Sequence, residues 1–510
     1  MTEYIMLQGT SSHVGKSVLA AALCRIFLQE GRHVAPFKAQ NMALNSYVTA
    51  DGLEMGRAQV AQAEAAGLAP SADMNPVLLK PTGNSCSQVI INGISVGNMS
   101  ARAYHKEYAL TAFSAVKDAL ARLSERYDTL VIEGAGSPAE VNLKSHDIVN
   151  MRVAKYLQAP VLLVADVDRG GSLAALVGTL ELLDEEERAL VKGMIINKFR
   201  GDVSLFAPAV SFLEEKTGKP VLGVIPYIED LTIDDEDSVS LEDKGSVKAS
   251  GDIRIAVIRL PKISNFTDFD SLQGEDDVWL QYISEPDSLK YADLIILPGS
   301  KNTIEDMEWL RSSGMEGAIR QALAKGVPVI GICGGYQMLG QHIIDDGHAE
   351  SEEGRAEGLY LLPVETTFTA RKSLAQVQGS CYELPFLGYT VSADKLEGYE
   401  IHMGSTADTG EEDALHPIIV TSRSGQACHI VHSTARRDGL VWGTYMHGIF
   451  DNDAFRRDII NCLRQKKGLH PLPVQHNFRA EKQKGYDALA HIVRSHLDMD
   501  KLRRIMTRRE

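Results

Sequence analysis

The stretch Gly9-Thr10-Ser11-Ser12-His13-Val14-Gly15-Lys16-Ser17 limits the architecture of this chain more than any other. It lies between a short buried-strand pattern, Tyr4 to Gln8, and an amphipathic helix pattern, Val18 to Phe27. A Gly-Lys-Ser ending at a strand-to-helix turn is the phosphate-cradling part of a P-loop. Backbone N–H groups and the helix N-terminus face the phosphates, Lys16 supplies charge, and the Ser17 hydroxyl can bind magnesium. Thr10 stands where the strict spacing has its first glycine, which here comes one place earlier at Gly9. Strand, loop and helix in this order predict an α/β layer with a mostly parallel sheet.

Further apolar runs end in side chains suited to such a loop. Val34 to Phe37 runs into Lys38, placing a lysine at the carboxyl edge of the sheet, where open α/β sheets bind ligands. Thr129-Leu130-Val131-Ile132-Glu133 leads into Gly134-Ala135-Gly136, and Glu133 there can hold magnesium directly or through water. Pro160 to Asp168 ends in two acids, and Met194 to Lys198 ends in Asn197-Lys198, a pair able to recognise a base edge. Taken singly, each acid also fits a solvated loop carboxylate. Their repeated placement at strand ends after a P-loop favours Glu133 as a metal-binding group.

The chain of 510 residues is too long for one ordinary domain. An acidic run with little apolar periodicity extends from Glu229 to about Gly251, and a new strand pattern begins at Ile253. The expected division is therefore a P-loop domain over 1–230, a linker over 231–251, a second domain over 252–455 and a helical extension over 456–510. The second domain also reads as a parallel α/β layer. Asp293 to Leu297 runs into Pro298-Gly299-Ser300, and a helical pattern follows from Ile304 to Lys325. Val327 to Ile332 then turns at Cys333-Gly334-Gly335 into another helix pattern. A cysteine on such an elbow is exposed by the turn, and the helix N-terminus favours its thiolate. Locally the pattern fits a small buried cysteine equally well. Two parallel strands ending at Gly299 and at Cys333 would aim the N–H groups of Gly299 and Gly334 at one carbonyl oxygen, an oxyanion hole. A thiol nucleophile needs a base, and His447, which follows the strand Leu440 to Tyr445, stands in the most turn-like setting of the nearby histidines. Glu400 and His402 alternate with Tyr399 and Ile401 along a strand pattern, so both polar residues share one face.

A formal charge of -16 argues against nucleic acid as a partner. Six cysteines at widely spaced positions form neither a disulfide framework nor a C-x-x-C metal site, as expected in a reducing cytoplasm. No apolar run approaches the roughly 18 residues of a membrane helix, so no membrane partner is expected.

The first half, with Gly-Thr-x-x-x-Val-Gly-Lys-Ser, Lys38, Glu-Gly-Ala-Gly and Asn197, resembles the dethiobiotin synthetase-type ATPases. That resemblance implies ATP and Mg2+, with Thr10, Gly15, Lys16, Ser17 and Asn197 at the nucleotide and Ser17 and Glu133 at the metal. It also implies activation of a carboxylate as an acyl phosphate. The second half resembles the class I glutamine amidotransferases, which implies Cys333 as the glutaminase nucleophile with His447. Most members of that class carry a glutamate two residues after the histidine, and this chain has Ile449 there. Lys38-Ala39-Gln40-Asn41-Met42, Gly398-Tyr399-Glu400-Ile401-His402 and His447-Gly448-Ile449-Phe450 resemble segments of the cobyric acid synthase family. The resemblance implies glutamine and a corrinoid as substrates, with Lys38, Gln40 and Asn41 on the acceptor or phosphate. The acceptor would be adenosylcobyrinic acid a,c-diamide, amidated at its b, d, e and g carboxylates in cobalamin biosynthesis. The alternative is the sister activity, cobyrinic acid a,c-diamide synthase, although that family tends to carry a Gly-Pro-Asp-type sequence after the lysine. Oligomeric state is not readable from these patterns.

Overall fold

Parallel strands ending in polar side chains organise both halves of the computed structural model, which describes residues 2–83, 86–104, 108–228, 250–410 and 414–507. In the first half, β1 (Glu3–Gly9), β2 (Val34–Phe37), β3 (Thr129–Glu133), β4 (Val161–Asp166), β5 (Val191–Phe199) and β6 (Val221–Pro226) form one sheet. Its order is β6-β5-β4-β1-β3-β2, and every pairing is parallel. All five residues of β3 are buried. Because successive residues point to opposite faces, such a run requires cover on both sides of the sheet. The chain leaves β1 between β3 and β4 at the carboxyl edge, the crevice where the strand order reverses. The helix after the P-loop is Lys16–Gln29, slightly longer than the apolar pattern.

In the second half, β7 (Ile253–Ile258), β8 (Val278–Ile283), β9 (Leu294–Leu297), β10 (Val329–Ile332), β11 (Ala414–Leu415), β12 (Ser433–Arg436) and β13 (Val441–Thr444) form a second sheet. The order is β8-β7-β9-β10-β13-β12-β11, parallel from β8 to β13 and antiparallel over the last two pairings. The helical pattern 304–325 is two helices, Thr303–Ser312 and Met315–Ala324, broken at Gly314 with φ +80°. A long antiparallel hairpin, Val364–Phe386 with Tyr389–Asp408, anchors a separate sheet. Its loop is Leu387-Gly388, both at positive φ, as a tight right-twisted hairpin demands.

The chain folds into two compact units whose borders are not consecutive. One is Met1–Ala43, Met55–Asp234 and Lys482–Glu510; the other is Leu44–Glu54 and Asp235–Glu481. This differs from the linear division expected at 230 and 252, and from a separate extension after 456. The reason is burial. Tyr486, Leu489, Ala490, Val493 and Leu502 lie in the same core as Ile5, Leu7, Leu19 and Leu23 of the first unit. Leu489, Val493 and Leu502 each contribute about 1.5–3 kcal/mol relative to exposure. Conversely, Val48 packs with Tyr399 and Ile401 of the second unit. The acidic connector expected over 231–251 falls almost wholly outside the described residues.

Candidate active sites

In the first unit, the buried carboxylate of Glu133 collects the residues singled out from the sequence. Ser17 Oγ donates to Glu133 Oε1 at 2.8 Å, and Lys38 Nζ pairs with the same oxygen at 2.9 Å. Lys16 Nζ donates to the carbonyls of Ser11 (3.0 Å) and Gly136 (3.2 Å), tying the P-loop to the glycine turn after β3. Asn197 Nδ2 donates to the Val14 carbonyl at 2.8 Å, which sets its amide against the loop beside Gly15. The Thr10 N–H bonds the Val164 carbonyl at 2.9 Å, so the start of the loop is fixed by β4.

Two glutamines of the helix Arg57–Ala65 complete the ring around Glu133 and were not identified from the sequence. Gln62 Nε2 donates to Glu133 Oε2 at 2.6 Å and to the Ser17 carbonyl at 3.3 Å. Gln59 Nε2 donates to Glu133 Oε2 at 3.5 Å, and Gln59 Oε1 accepts from Asn41 Nδ2 at 3.1 Å. They stand one helical turn apart, the spacing that places two side chains on one face. Gln40 accepts from Tyr104 Oη at 2.6 Å. Thus Lys38 and Asn41 join the Glu133 cluster, and Gln40 is held by a different partner. A serine hydroxyl and a carboxylate oxygen in contact are hard donors of the kind magnesium takes beside phosphates.

In the second unit, Cys333 terminates β10 at φ 53°, ψ -110°, and the helix Gly334–Leu339 starts immediately after it. Such backbone strain in a residue other than glycine persists only where surrounding packing over-determines it. Here a Cβ on Gly335 would lie 2.0 Å from the Leu297 carbonyl oxygen, so only glycine lets the elbow sit this close to β9. The Cys333 thiol points at the Ile401 carbonyl, 3.5 Å away. The expected oxyanion residues converge on the same place. A Cβ on Gly334 would meet Ser300 N at 2.8 Å, and one on Gly299 would meet His447 Cε1 at 3.5 Å.

His447 is fully buried, and its Nδ1 contacts Asp268 Oδ2 at 2.6 Å. The other Asp268 oxygen accepts from Gly448 N at 3.1 Å, so one carboxylate grips both ring and backbone. Burial lowers the pKa of the imidazole; the charges of Asp268 and then Cys333 outweigh it and carry the group up to about 10. Nε2, the ring nitrogen not held by Asp268, makes no hydrogen bond among the described residues. Asp268 thereby fills the place left open by Ile449. No local signal marked it, because it lies 179 residues before the histidine.

Glu400, His402 and His432 bring three ligand-type atoms within 4.8 Å of one another. The carboxylate is already compensated: Oε2 meets His432 Nε2 at 2.7 Å, and Oε1 meets Ser373 Oγ at 3.0 Å and the Arg423 guanidinium. Burial would raise the Glu400 pKa, but the adjacent imidazoles of His402 and His432 hold it well below the usual carboxylate range. Glu400 and His402 thus share a buried polar cluster, with His402 stacked on Tyr445 at 3.9 Å.

Comparison with known proteins places both halves. Residues 5–240 match a CobQ/CobB/MinD/ParA nucleotide binding domain, and residues 254–455 a CobB/CobQ-like glutamine amidotransferase domain. A nucleotide-binding unit and an amidotransferase unit in one chain define an amidotransferase-containing ligase. Curated cobyric acid synthases of Moorella thermoacetica and Pelotomaculum thermopropionicum are 53% and 52% identical over 508 residues, covering 99% and 98% of this chain and 98% and 96% of their own lengths. That of Salmonella agona is 50% identical over 510 residues, 99% of each chain. The chain belongs to the cobyric acid synthase family, whose members act in cobalamin biosynthesis.

Proposed function

We propose that this enzyme amidates the b, d, e and g carboxylates of adenosylcobyrinic acid a,c-diamide, using ATP and ammonia drawn from glutamine. The observation that carries the reading is His447, held at Nδ1 by Asp268 with Nε2 left for the Cys333 side. In the second unit the Cys333 thiolate attacks the carboxamide carbon of glutamine, and the N–H groups of Gly299 and Gly334 bind the oxyanion. His447 Nε2 gives its proton to the departing nitrogen, and ammonia leaves. His447 then takes a proton from water as the thioester is hydrolysed to glutamate. A pKa near 10 keeps the imidazole charged at neutral pH and so supports the thiolate.

In the first unit Thr10, Gly15 and Lys16 bind the ATP phosphates, and Asn197 faces the nucleotide. Ser17 and Glu133 are the residues that would hold Mg2+, which when bound neutralises phosphate charge. A substrate carboxylate oxygen attacks the γ-phosphorus, and the bond to the bridging oxygen breaks, giving ADP and an acyl phosphate. Lys38, Gln40 and Asn41 position the acceptor and the phosphoryl group. Ammonia adds to the acyl carbon, loses a proton, and phosphate leaves. The cysteines are free thiols, and among the described residues no helix is long and apolar enough to cross a membrane. A cytoplasmic location suits this chemistry.

The test is to incubate the protein with ATP, magnesium, the diamide and either glutamine or ammonium, following product mass and ADP. Cys333→Ala is expected to abolish glutamine use and keep ammonium-dependent amidation. Loss of both would refute the division of labour.

A further inference from the structure

Residues Asn45 to Val48 come from the first half of the sequence, yet they belong to the second unit. They touch Asn265 and Phe266 of the Asp268 turn, and also Tyr399 and Ile401, which lie against His447 and Cys333. The Ser46 carbonyl accepts from Asn265 Nδ2 at 2.9 Å, and Asn45 Oδ1 accepts from Phe266 N at 3.3 Å. Asn265 and Phe266 open the short 3-10 turn that carries Asp268: Asp268 N bonds the Asn265 carbonyl at 3.1 Å. Asn265 sits at φ +52°, a left-handed conformation that its two side-chain bonds help to hold. The second of those bonds goes to Tyr399 Oη, at 2.8 Å.

Tyr399 makes the second connection. Its ring stacks on the His447 imidazole with centroids 5.1 Å apart and planes 16° from parallel. Its backbone N–H and carbonyl pair with those of His447 at 3.1 Å and 2.9 Å. On its other contacts Tyr399 meets the Tyr47 ring at 5.0 Å and shares an apolar cluster with Val48. The third connection is Ile401, in that same cluster, whose carbonyl faces the Cys333 thiol. The segment is itself fastened to the long hairpin by Gln376 on the Val48 carbonyl and by Lys372 on Glu54, the latter at 2.6 Å.

We propose that Asn45 to Val48 is a positioning strap for the glutaminase pair, acting through Asn265 and Tyr399. It sets the Asp268 turn and the Tyr399 ring, and these fix the angle at which His447 Nε2 meets Cys333. The strap's described contacts run to Asn265, Phe266, Tyr399 and Ile401 and not to the reacting atoms, so its residues are positioning residues. It follows Lys38, Gln40 and Asn41 directly in the chain, so glutamine hydrolysis depends on a segment continuous with the acceptor loop. The inference rests on the glutaminase roles proposed above for Cys333 and His447.

The experiment uses full-length Tyr47→Ala, with Tyr47→Phe as the conservative control. Three readouts are taken: glutamate release as separate kcat and KM, ammonium-driven ADP formation, and the pH profile of Cys333 alkylation by iodoacetamide. A small misplacement of a catalytic group can cost about 10²-fold in rate. Tyr47→Ala is expected to lower kcat for glutamate release by about that factor, with KM little changed and ammonium-driven turnover retained. Its alkylation profile should move to higher pH as the thiol loses its charged partner, and Tyr47→Phe should restore both. A wild-type kcat and alkylation profile in Tyr47→Ala would overturn the proposal. So would an equal loss from glutamine and ammonium, which would assign the segment to the synthetase reaction. If Cys333→Ala in the parent chain still released glutamate, the glutaminase assignment itself would fail instead.

Discussion

Glu133 in the first unit and Asp268 in the second are both buried carboxylates, but they are held in opposite ways. Glu133 is surrounded by donors: Ser17, Lys38, Gln59 and Gln62 all reach it. Lys16 likewise spends its ammonium on two backbone carbonyls. A nucleotide at this site therefore exchanges one set of partners for another, and its binding energy must cover the exchange. Among the described residues the Asp268 carboxylate bonds two groups, both in the His447–Gly448 corner. It fixes a ring whose other nitrogen makes no hydrogen bond among the described residues. The first arrangement suits a site that redistributes charge around phosphates. The second suits one that moves a single proton between two preset atoms.

Substitutions should separate the two designs. The largest effect is expected for Lys16→Ala, with amidation from glutamine and from ammonium both falling by about 10³-fold or more while Cys333 alkylation is unchanged. ADP formation measured with each nitrogen source checks this; survival of ammonium-driven turnover would erase the distinction. Next, Asp268→Asn should slow glutamate release by about 10²-fold and leave ammonium-driven turnover intact. Its pH dependence gives the sign. The raised pKa of His447 keeps the imidazole charged until the pH rises through about 10. Removing the Asp268 charge lowers that pKa, so the alkaline limb of glutamate release must move to lower pH. The same raised pKa contributes stability that is complete below about pH 6.5 and is lost as the pH climbs through about 10.

Gln62→Leu strikes the donor ring without removing charge, and a loss of about tenfold in magnesium affinity is expected from ADP formation against magnesium concentration. Glutamate release should be indifferent to it. The smallest effect belongs to Arg25→Ala. Arg25 pairs with the half-exposed Asp487 at 2.7 Å, so thermal unfolding should shift by less than about 1 kcal/mol.

What could be read from sequence follows the same contrast. The P-loop is legible because Gly15, Lys16 and Ser17 carry their chemistry as neighbours, and Glu133 because it ends a buried strand. Cys333 and His447 stand out for the same reason, each at a strand-to-turn corner. Gln59 and Gln62 do not, since two glutamines a helical turn apart look like any solvated helix face until the sheet covers them. Asp268 lies in Asn265-Phe266-Thr267-Asp268-Phe269, a turn with no periodicity and no nearby histidine. Only the pairing of distant strands brings it to His447. The linear division at 230 and 252 missed the strap and the C-terminal helices, because apolar pattern reports that a face is buried and not which core buries it.

The helices that close the first core bear on how the chain is made. Tyr486, Leu489 and Val493 pack with Ile5 and Leu7 in the first core, and all of residues 235–481 lie between them in sequence. During synthesis the amidotransferase unit emerges complete before the P-loop unit has its last helices. The first unit then waits, with part of its apolar surface bare, until residues 482–506 leave the ribosome. A ribosome that stalls between the two would release a chain with its Cys333 elbow formed and its P-loop unit unfinished. Such a chain would leave bare the apolar surface of Ile5, Leu7, Leu19 and Leu23 that the last helices cover.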